Sequence, residues 1–372
     1  MPRILLVCEF PTLLGGERSM LATLDGVRAA GYTLAVAAPP QGPLAEALRG
    51  RGIEVLPFAP CPEGQPRPPQ GQIRAELAGL IRSWRPDLLH ANSLAMGRLA
   101  GPVVAGLGVP SVAHLRDIIK LSRQAAADLG CNGRLLAVSG AVRDFHAAAG
   151  RPAEKIHVLY NGVDLERFRP RPPSGDLHRQ LGLAPGVPLL GTIGQLALRK
   201  GQDVLLAAMT RVAGEFPDVH CLVVGARWSD KDESRRFEAD LRAAAERLGG
   251  RVHWLGVRDD VDRLLPELTV LVHPARQEPL GRVLLEAAAC GVAVVATDVG
   301  GTREIFPASS DSARLVPPDD AVAMAAAIGQ LLGDPALRVR LGIAARRRAE
   351  AAFDIRTAAA GLVRHYQEVV GQ

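Results

Sequence analysis

Apolar residues in this chain fall into two rhythms that alternate from one end to the other. Short runs rich in Val, Ile, Leu and Ala, most bounded by Gly or Pro, read as strands over Ile4–Cys8, Leu34–Ala38, Ile53–Phe58, Asp87–His90, Ser111–His114 and Leu135–Val138. Between them, Glu17–Ala30, Gly71–Ser83 and Leu94–Leu107 carry apolar residues at helical spacing. The run Arg169-Pro-Arg-Pro-Pro-Ser-Gly175 interrupts the alternation, because its prolines suit neither a helix interior nor a central strand, and it reads as an interdomain linker. A second series follows, with strands at Leu189–Ile193, Val219–Val224, Arg251–Leu255, Val270–His273 and Val292–Ala296 and helices at Gln202–Gly214, Asp232–Leu248 and Leu280–Cys290. Pro60–Gln70 reads as a surface loop inside the first series, and the chain after Pro335 is almost wholly helical, ending in Ile355–Val370. Strands alternating with helices build parallel sheets covered on both faces. The pattern therefore predicts an α/β protein of two Rossmann-like, doubly wound domains, residues 1–170 and 171–352, with a final helix in residues 353–372 packing back on the first.

Composition narrows the class. Apolar residues are 48% and charged residues 22% of the 372, which excludes disorder as the main character. Aromatics at 4% leave little for base stacking, so nucleic acid is not an expected partner. The net charge of +5 sits in the first half: Met1–Pro170 holds 19 Lys/Arg against 14 Asp/Glu, and the remainder 25 against 25. That half is the one to attract anionic headgroups or phosphorylated ligands. The five cysteines, Cys8, Cys61, Cys131, Cys221 and Cys290, form no CxxC pair and are odd in number, as expected of reduced thiols in the cytoplasm. The opening MPRILLVCEF has too short an apolar run for a signal peptide, and no stretch approaches the ~20 apolar residues of a bilayer span.

Open parallel sheets bind ligands beyond the carboxyl ends of their strands, so polar groups just after a strand come first. Gly15-Gly16-Glu17-Arg18 joins the first strand to a helix and offers free amides and a positive dipole end to an anion. Neither GxGxxG nor GxxxxGK[ST] follows any strand, which argues against nicotinamide dehydrogenases and nucleoside triphosphatases. His90, His114 and His273 close three predicted strands without metal-ligand spacing, and Arg116 and Asp117 stand where they can orient a hydroxylated ligand. In the second half, Gly194-Gln195-Leu-Ala-Leu-Arg199-Lys200-Gly201 places cations just before a helix, an arrangement suited to a diphosphate. His273-Pro-Ala-Arg-Gln-Glu278-Pro-Leu-Gly281-Arg282-Val-Leu-Leu-Glu286 then sets one carboxylate before a helix and another inside its apolar face. A buried carboxylate needs a partner. The two hydroxyls of a ribose would supply one for Glu286, and an ion pair is the structural alternative.

Taken in order, several segments resemble one family nearly end to end. They are the Gly15-Gly16 loop, Ala137-Val-Ser139 before a helix, Val158-Leu-Tyr-Asn161-Gly162-Val-Asp164 running to Phe168-Arg-Pro170, the Lys200-Gly201 turn, the Glu278 and Glu286 pair, and Val295-Ala-Thr-Asp298-Val-Gly300-Gly301-Thr-Arg-Glu304. Together they resemble the retaining glycosyltransferases of GT-B architecture in glycosyltransferase family 4. The resemblance implies a nucleotide-sugar donor held mainly by the second domain, a hydroxyl acceptor on the first, and catalysis in a cleft between them. It assigns the donor diphosphate to Lys200 with amides of Gly15 and Gly16, and the ribose hydroxyls to Glu286. The transferred sugar falls to Glu278 and the backbone of Leu280 and Gly281, with His114 near its reacting face. The base falls to the backbone of Val257, and Glu17, Arg116 and Ser139 lie on the acceptor side. Gln195 stands where the family commonly has Arg, so diphosphate binding is expected to be weaker at that point unless Arg199 or another cation compensates.

The implied reaction is sugar transfer with retained anomeric configuration, in which a donor phosphate oxygen takes the acceptor proton. No metal or cofactor is expected, because amides and Lys200 meet the charge on the leaving diphosphate. A cytoplasmic protein with peripheral contact between its N-terminal domain and an anionic membrane fits that reading. A nucleotide-sugar epimerase and a catalytically silent nucleotide-sugar-binding protein are the alternatives.

Overall fold

The computed structural model describes residues 1–62, 64 and 66–371. Its strands are β1 (Arg3–Val7), β2 (Thr33–Ala38), β3 (Glu54–Pro57), β4 (Leu88–Ala91), β5 (Ser111–Leu115), β6 (Arg134–Ala137), β7 (Ile156–Val158), β8 (Leu189–Ile193), β9 (His220–Val224), β10 (Val252–Gly256), β11 (Val270–His273), β12 (Val294–Thr297) and β13 (Arg314–Val316). They form two parallel sheets, ordered β3-β2-β1-β4-β5-β6-β7 and β10-β9-β8-β11-β12-β13. Strand order reverses between β1 and β4 in the first sheet and between β8 and β11 in the second. Helices leave on opposite faces at such a reversal, which opens a crevice at the strands' carboxyl ends.

The chain divides into two compact units, residues 1–162 with 355–372, and residues 163–354. In the first, Ile4, Leu6, Val36, Leu88 and Val112 of the sheet pack on Leu24 and Val27 of the helix Gly15–Ala29 and on Leu362, Tyr366 and Val369 of the helix Ile355–Val370. In the second, Leu190, Cys221, Val270 and Val295 pack on Leu205 and Met209 of Gln202–Glu215 and on Ile328 and Leu331 of Ala321–Gly333. The sheets are buried on both faces, which is why their strands read as apolar runs rather than alternating ones.

Local chemistry fixes the helix ends. Ser93, Ser122 and Ser139 cap Leu94–Leu107, Arg123–Gly130 and Gly140–Ala148, each accepting a backbone N–H with its hydroxyl. The first two of these helices pack closely because Gly101 has no side chain: a Cβ there would sit 2.0 Å from the Asp128 carbonyl oxygen.

Two features depart from the sequence pattern. β7 and β13 are edge strands of three residues each, too short to show a period. The Arg169–Gly175 segment does not lie between the units but is bound within the second, and the crossing from the first falls at Gly162 and Val163. Glu267 holds the segment by accepting the N–H groups of Ser174 and Gly175, while Arg171 reaches Asp262. In the 60–70 stretch, residues 63 and 65 lie outside the described residues, and the helix Gln70–Trp84 begins at its end. No helix among the described residues is long and apolar enough to cross a membrane.

Candidate functional site

The second unit gathers its charges at the β8–β11 reversal. Lys200 ends a short 3-10 turn, Leu198–Lys200, after β8, and Glu278 lies on the loop that leaves β11. Lys200 Nζ donates to Glu278 Oε2 at 2.5 Å, and Nε2 of His273, the last residue of β11, donates to the same oxygen at 2.8 Å. The carboxylate side chain is only 8% exposed. Burial alone would raise its pKa, but the Lys200 ammonium and the His273 hydrogen bond outweigh burial and hold Glu278 well below the usual carboxylate range. Burial lowers the pKa of His273, so it donates as a neutral imidazole. Both partners sit on Oε2, and Oε1 has no hydrogen-bond partner among the described residues.

The turn that carries Lys200 is itself clamped. Gly201 adopts φ +65°, and a Cβ on it would lie 1.9 Å from the Pro274 carbonyl oxygen, so only glycine lets the turn pass this close to the end of β11. Arg276 closes the clamp from the other side. Its guanidinium donates to Asp203 at 2.8 and 2.7 Å, to the Leu198 carbonyl at 2.7 Å and to Asp319 at 2.6 Å. Gln195 accepts from the Arg199 guanidinium at 3.0 Å through its side chain and from Gln202 at 2.8 Å through its backbone carbonyl. A cation therefore stands beside the position where the sequence has Gln.

Downstream, Gly281 at φ +102° caps the helix Arg282–Cys290, and its missing side chain leaves the Glu278 side chain against its backbone. Glu286 lies one turn into that helix, 9% exposed, and accepts from Arg282 at 2.6 Å. The ion pair satisfies Glu286 in the free protein. Val257 follows β10 and is half exposed.

The first unit builds a separate cluster at the β1–β4 reversal and the ends of β5 and β7. Gly15 and Gly16 open the helix Gly15–Ala29, where first-turn amides lack intrahelical acceptors. The Leu14 N–H is taken by Glu17 Oε2 at 3.2 Å, and burial raises the pKa of Glu17. Gly16 faces Arg116: a Cβ there would lie 3.4 Å from the Arg116 side chain. Arg116 donates to the Asn92 carbonyl at 2.9 Å, to Asn92 Oδ1 at 3.0 Å and to Asn161 Oδ1 at 3.0 Å. Together with Ser19, Thr23, His90, His114 and Asn161, Arg116 lines a pocket. Ser139 is fully buried, its hydroxyl accepting the Val142 N–H at 3.1 Å as a helix cap.

The structure thus brings Gln195, Arg199, Lys200 and Glu278 together in one unit, with Leu280 and Gly281 on the same loop, and Gly16, His114 and Arg116 together in the other. The predicted strand-end histidines divide: His90 and His114 lie 2.7 Å apart, and His273 belongs to the second unit. Sequence reasoning missed His273 as the partner of Glu278 and Arg276 as the clamp. Arg276 carried a signal, standing between two recognised positions on the same loop. Among the described residues no group of three or more His, Cys, Asp or Glu is placed to hold a metal ion.

Comparison with known proteins covers both units. The family model Glycosyl transferases group 1 matches residues 174–348, and the model Glycosyltransferase Family 4 matches residues 14–167. The chain is 31% identical over 362 residues to the phosphatidyl-myo-inositol mannosyltransferase of Mycolicibacterium smegmatis, which covers 88% of this chain and 89% of that protein. It is 35% identical over 227 residues to the alpha-maltose-1-phosphate synthase of Mycobacterium tuberculosis, covering 58% of this chain and spanning only 57% of that protein's length. Among solved structures, Anabaena HepE in complex with UDP-glucose matches with a TM-score of 0.86 at 24% identity, covering 99% of this chain and 100% of that one, a likeness of fold.

Proposed function

The chain belongs to the group 1 glycosyl transferases, glycosyltransferase family 4, with the GT-B fold, and from that premise we propose that it moves a sugar from a nucleoside-diphosphate sugar to a hydroxyl acceptor with retention at the anomeric carbon. The observation that carries the proposal is the Lys200–Glu278–His273 cluster at the β8–β11 reversal, where an ammonium and a buried carboxylate with one open oxygen stand side by side. The donor diphosphate takes the Lys200 ammonium. Glu278 stays anchored by His273 and offers Oε1 to a sugar hydroxyl. The amides of Leu280 and Gly281 lie on the same loop, at the start of a helix whose dipole favours negative charge. Glu286 exchanges its Arg282 partner for the ribose hydroxyls, and the Val257 backbone meets the base.

In the reaction the bond between the anomeric carbon and the diphosphate oxygen breaks while the acceptor oxygen bonds to the same face of that carbon. The acceptor proton goes to a phosphate oxygen of the leaving group. Most of the barrier lies in charge building on the diphosphate, and Lys200 with preorganised amides stabilises that charge; no step of this scheme calls for a metal. Glu278 and Glu286 hold different parts of one donor and do not act as a glycosidase pair.

The relatives' names support the substrate class. One is a mannosyltransferase acting on phosphatidyl-myo-inositol, another a synthase of maltose 1-phosphate, and HepE was solved with UDP-glucose. The lipid in the first name and the Lys/Arg surplus of residues 1–170 support an acceptor at an anionic membrane face. Five free cysteines support a reducing, cytoplasmic compartment. The test is to incubate the chain with UDP-, GDP- and ADP-sugars, with and without an acceptor panel, and to follow product anomers by proton NMR. Transfer with retained configuration is expected. Epimer accumulation without acceptor, or binding with no turnover on any acceptor, would refute the proposal.

A further inference from the structure

A buried string of three side chains borders the pocket of the first unit. His114, on β5, lines the pocket and is 5% exposed. Its Nδ1 lies 2.7 Å from Nε2 of His90 on β4, and Nδ1 of His90 lies 2.6 Å from the hydroxyl of Tyr366 on the helix Ile355–Val370. The remaining ring nitrogen, Nε2 of His114, has no hydrogen-bond partner among the described residues. An open ring nitrogen on a residue that lines a pocket is within reach of a ligand there.

The direction of the protons follows from the geometry and from neutrality. Burial, with Arg116 acting the same way, pushes His90 down to about 3 and His114 well below its usual value, and burial pushes Tyr366 up. All three are neutral near pH 7, so each imidazole carries one proton. The Tyr366 hydroxyl proton has a single acceptor among the described residues, Nδ1 of His90. When Tyr366 donates there, His90 carries its proton on Nε2 and donates it to Nδ1 of His114. His114 then carries its proton on Nε2. The opposite string leaves the Tyr366 proton buried without an acceptor.

The geometry points to Tyr366 as a positioning residue for sugar transfer: through His90 it fixes His114 as the neutral Nε2–H tautomer, which donates a hydrogen bond to a substrate hydroxyl oxygen and does not act as a base. This rests on the reading that His114 faces the transferred sugar. It also agrees with the proposed proton path, in which the donor phosphate, not an imidazole, takes the acceptor proton.

The test is nitrogen-15 NMR of the histidine-labelled full chain, alongside turnover of nucleotide sugar read as released nucleoside diphosphate. In the parent, His114 Nδ1 is expected in the range of an unprotonated imidazole nitrogen and Nε2 in the protonated range. Tyr366→Phe keeps the ring but removes the donor, so both tautomers open. Its His114 resonances are expected to move toward mixed tautomers, with kcat down roughly 2- to 10-fold and the donor KM unchanged. A parent His114 protonated on Nδ1 overturns the string, whether or not the variant folds. Parent tautomers as expected, with turnover unchanged in Tyr366→Phe, overturn the positioning role. Parent protein that turns over no nucleotide sugar refutes the transferase reading separately, because the nitrogen shifts are read without substrate.

Discussion

Replacing Lys200 with alanine leaves a carboxylate in the interior of the second unit with one partner instead of two. The Glu278 side chain is 8% exposed and that of Lys200 15%, so solvent replaces little of what is lost. Breaking a buried pair by deleting one member costs about 3–5 kcal/mol. His273 remains 2.8 Å from the same oxygen, which puts the expected loss near the lower end, about 3 kcal/mol at pH 8. For a unit of this size each kcal/mol is worth roughly 2–4 °C, so its melting midpoint should fall by about 6–12 °C. The loss depends on pH. With the ammonium gone, burial still holds the His273 pKa down but one repelling charge is lost, so its folded pKa lies nearer the ordinary value than in the parent. A histidine whose folded pKa lies below its unfolded one loses stability as pH falls, and the closer the two values lie the smaller that loss, so the parent loses more than the variant. The variant should therefore regain part of its deficit when melted at pH 6 instead of pH 8. Calorimetric titration with UDP completes the experiment: one lost charge-assisted hydrogen bond, ~1.5–3 kcal/mol, weakens binding roughly 10- to 150-fold. A Lys200→Ala protein that melts like its parent at both pH values and binds UDP equally well would refute the reasoning.

Three further outcomes follow from the same site. Glu286→Gln exchanges charge-assisted for neutral hydrogen bonds to the ribose, so UDP affinity should fall roughly tenfold while inorganic pyrophosphate binds as before; equal weakening of both ligands would place Glu286 at the phosphates instead. Gly201→Ala drives a Cβ into the Pro274 carbonyl oxygen at a positive φ, and it should destabilise the second unit by at least about 1 kcal/mol and displace Lys200; thermal melts and UDP affinity both unchanged would contradict the clamp. Glu278→Gln removes the carboxylate whose folded pKa is depressed. The parent gains stability from that group above the ordinary Glu pKa of about 4.3 and loses it as pH falls through the folded value, so the stability gap between parent and variant should be widest near neutrality and shrink in acid. A gap that stays constant down to strong acid would contradict the depressed pKa.

Central strands and charged site residues were legible for the same reason: burial makes exceptions visible. β8 and β11 coincide with their predicted ranges because an apolar run ending at Gly194 or Pro274 has little freedom in where it stops. Glu286 stood out as a carboxylate inside an apolar helix, and Lys200 as a cation before a helix start. The edge strands Ile156–Val158 and Arg314–Val316 were missed because three residues carry no period and one side of each has no neighbour to select for. Partnerships were harder still. His114 and His90 are separated by 24 residues, and His90 and Tyr366 by 276; the sheet's crossover order, not local sequence, brings them together. The proline run Arg169–Gly175 reads as a linker until Glu267, far along the chain, is seen gripping its amides.

Calorimetric titration of the intact chain with UDP, GDP and ADP tests the central claim most directly, because the donor's diphosphate is what Lys200 and its neighbours are proposed to hold. The account predicts that at least one of the three saturates a single site per chain, with affinity that falls as salt rises. No binding by any of the three, or binding indifferent to Lys200→Ala, would contradict it.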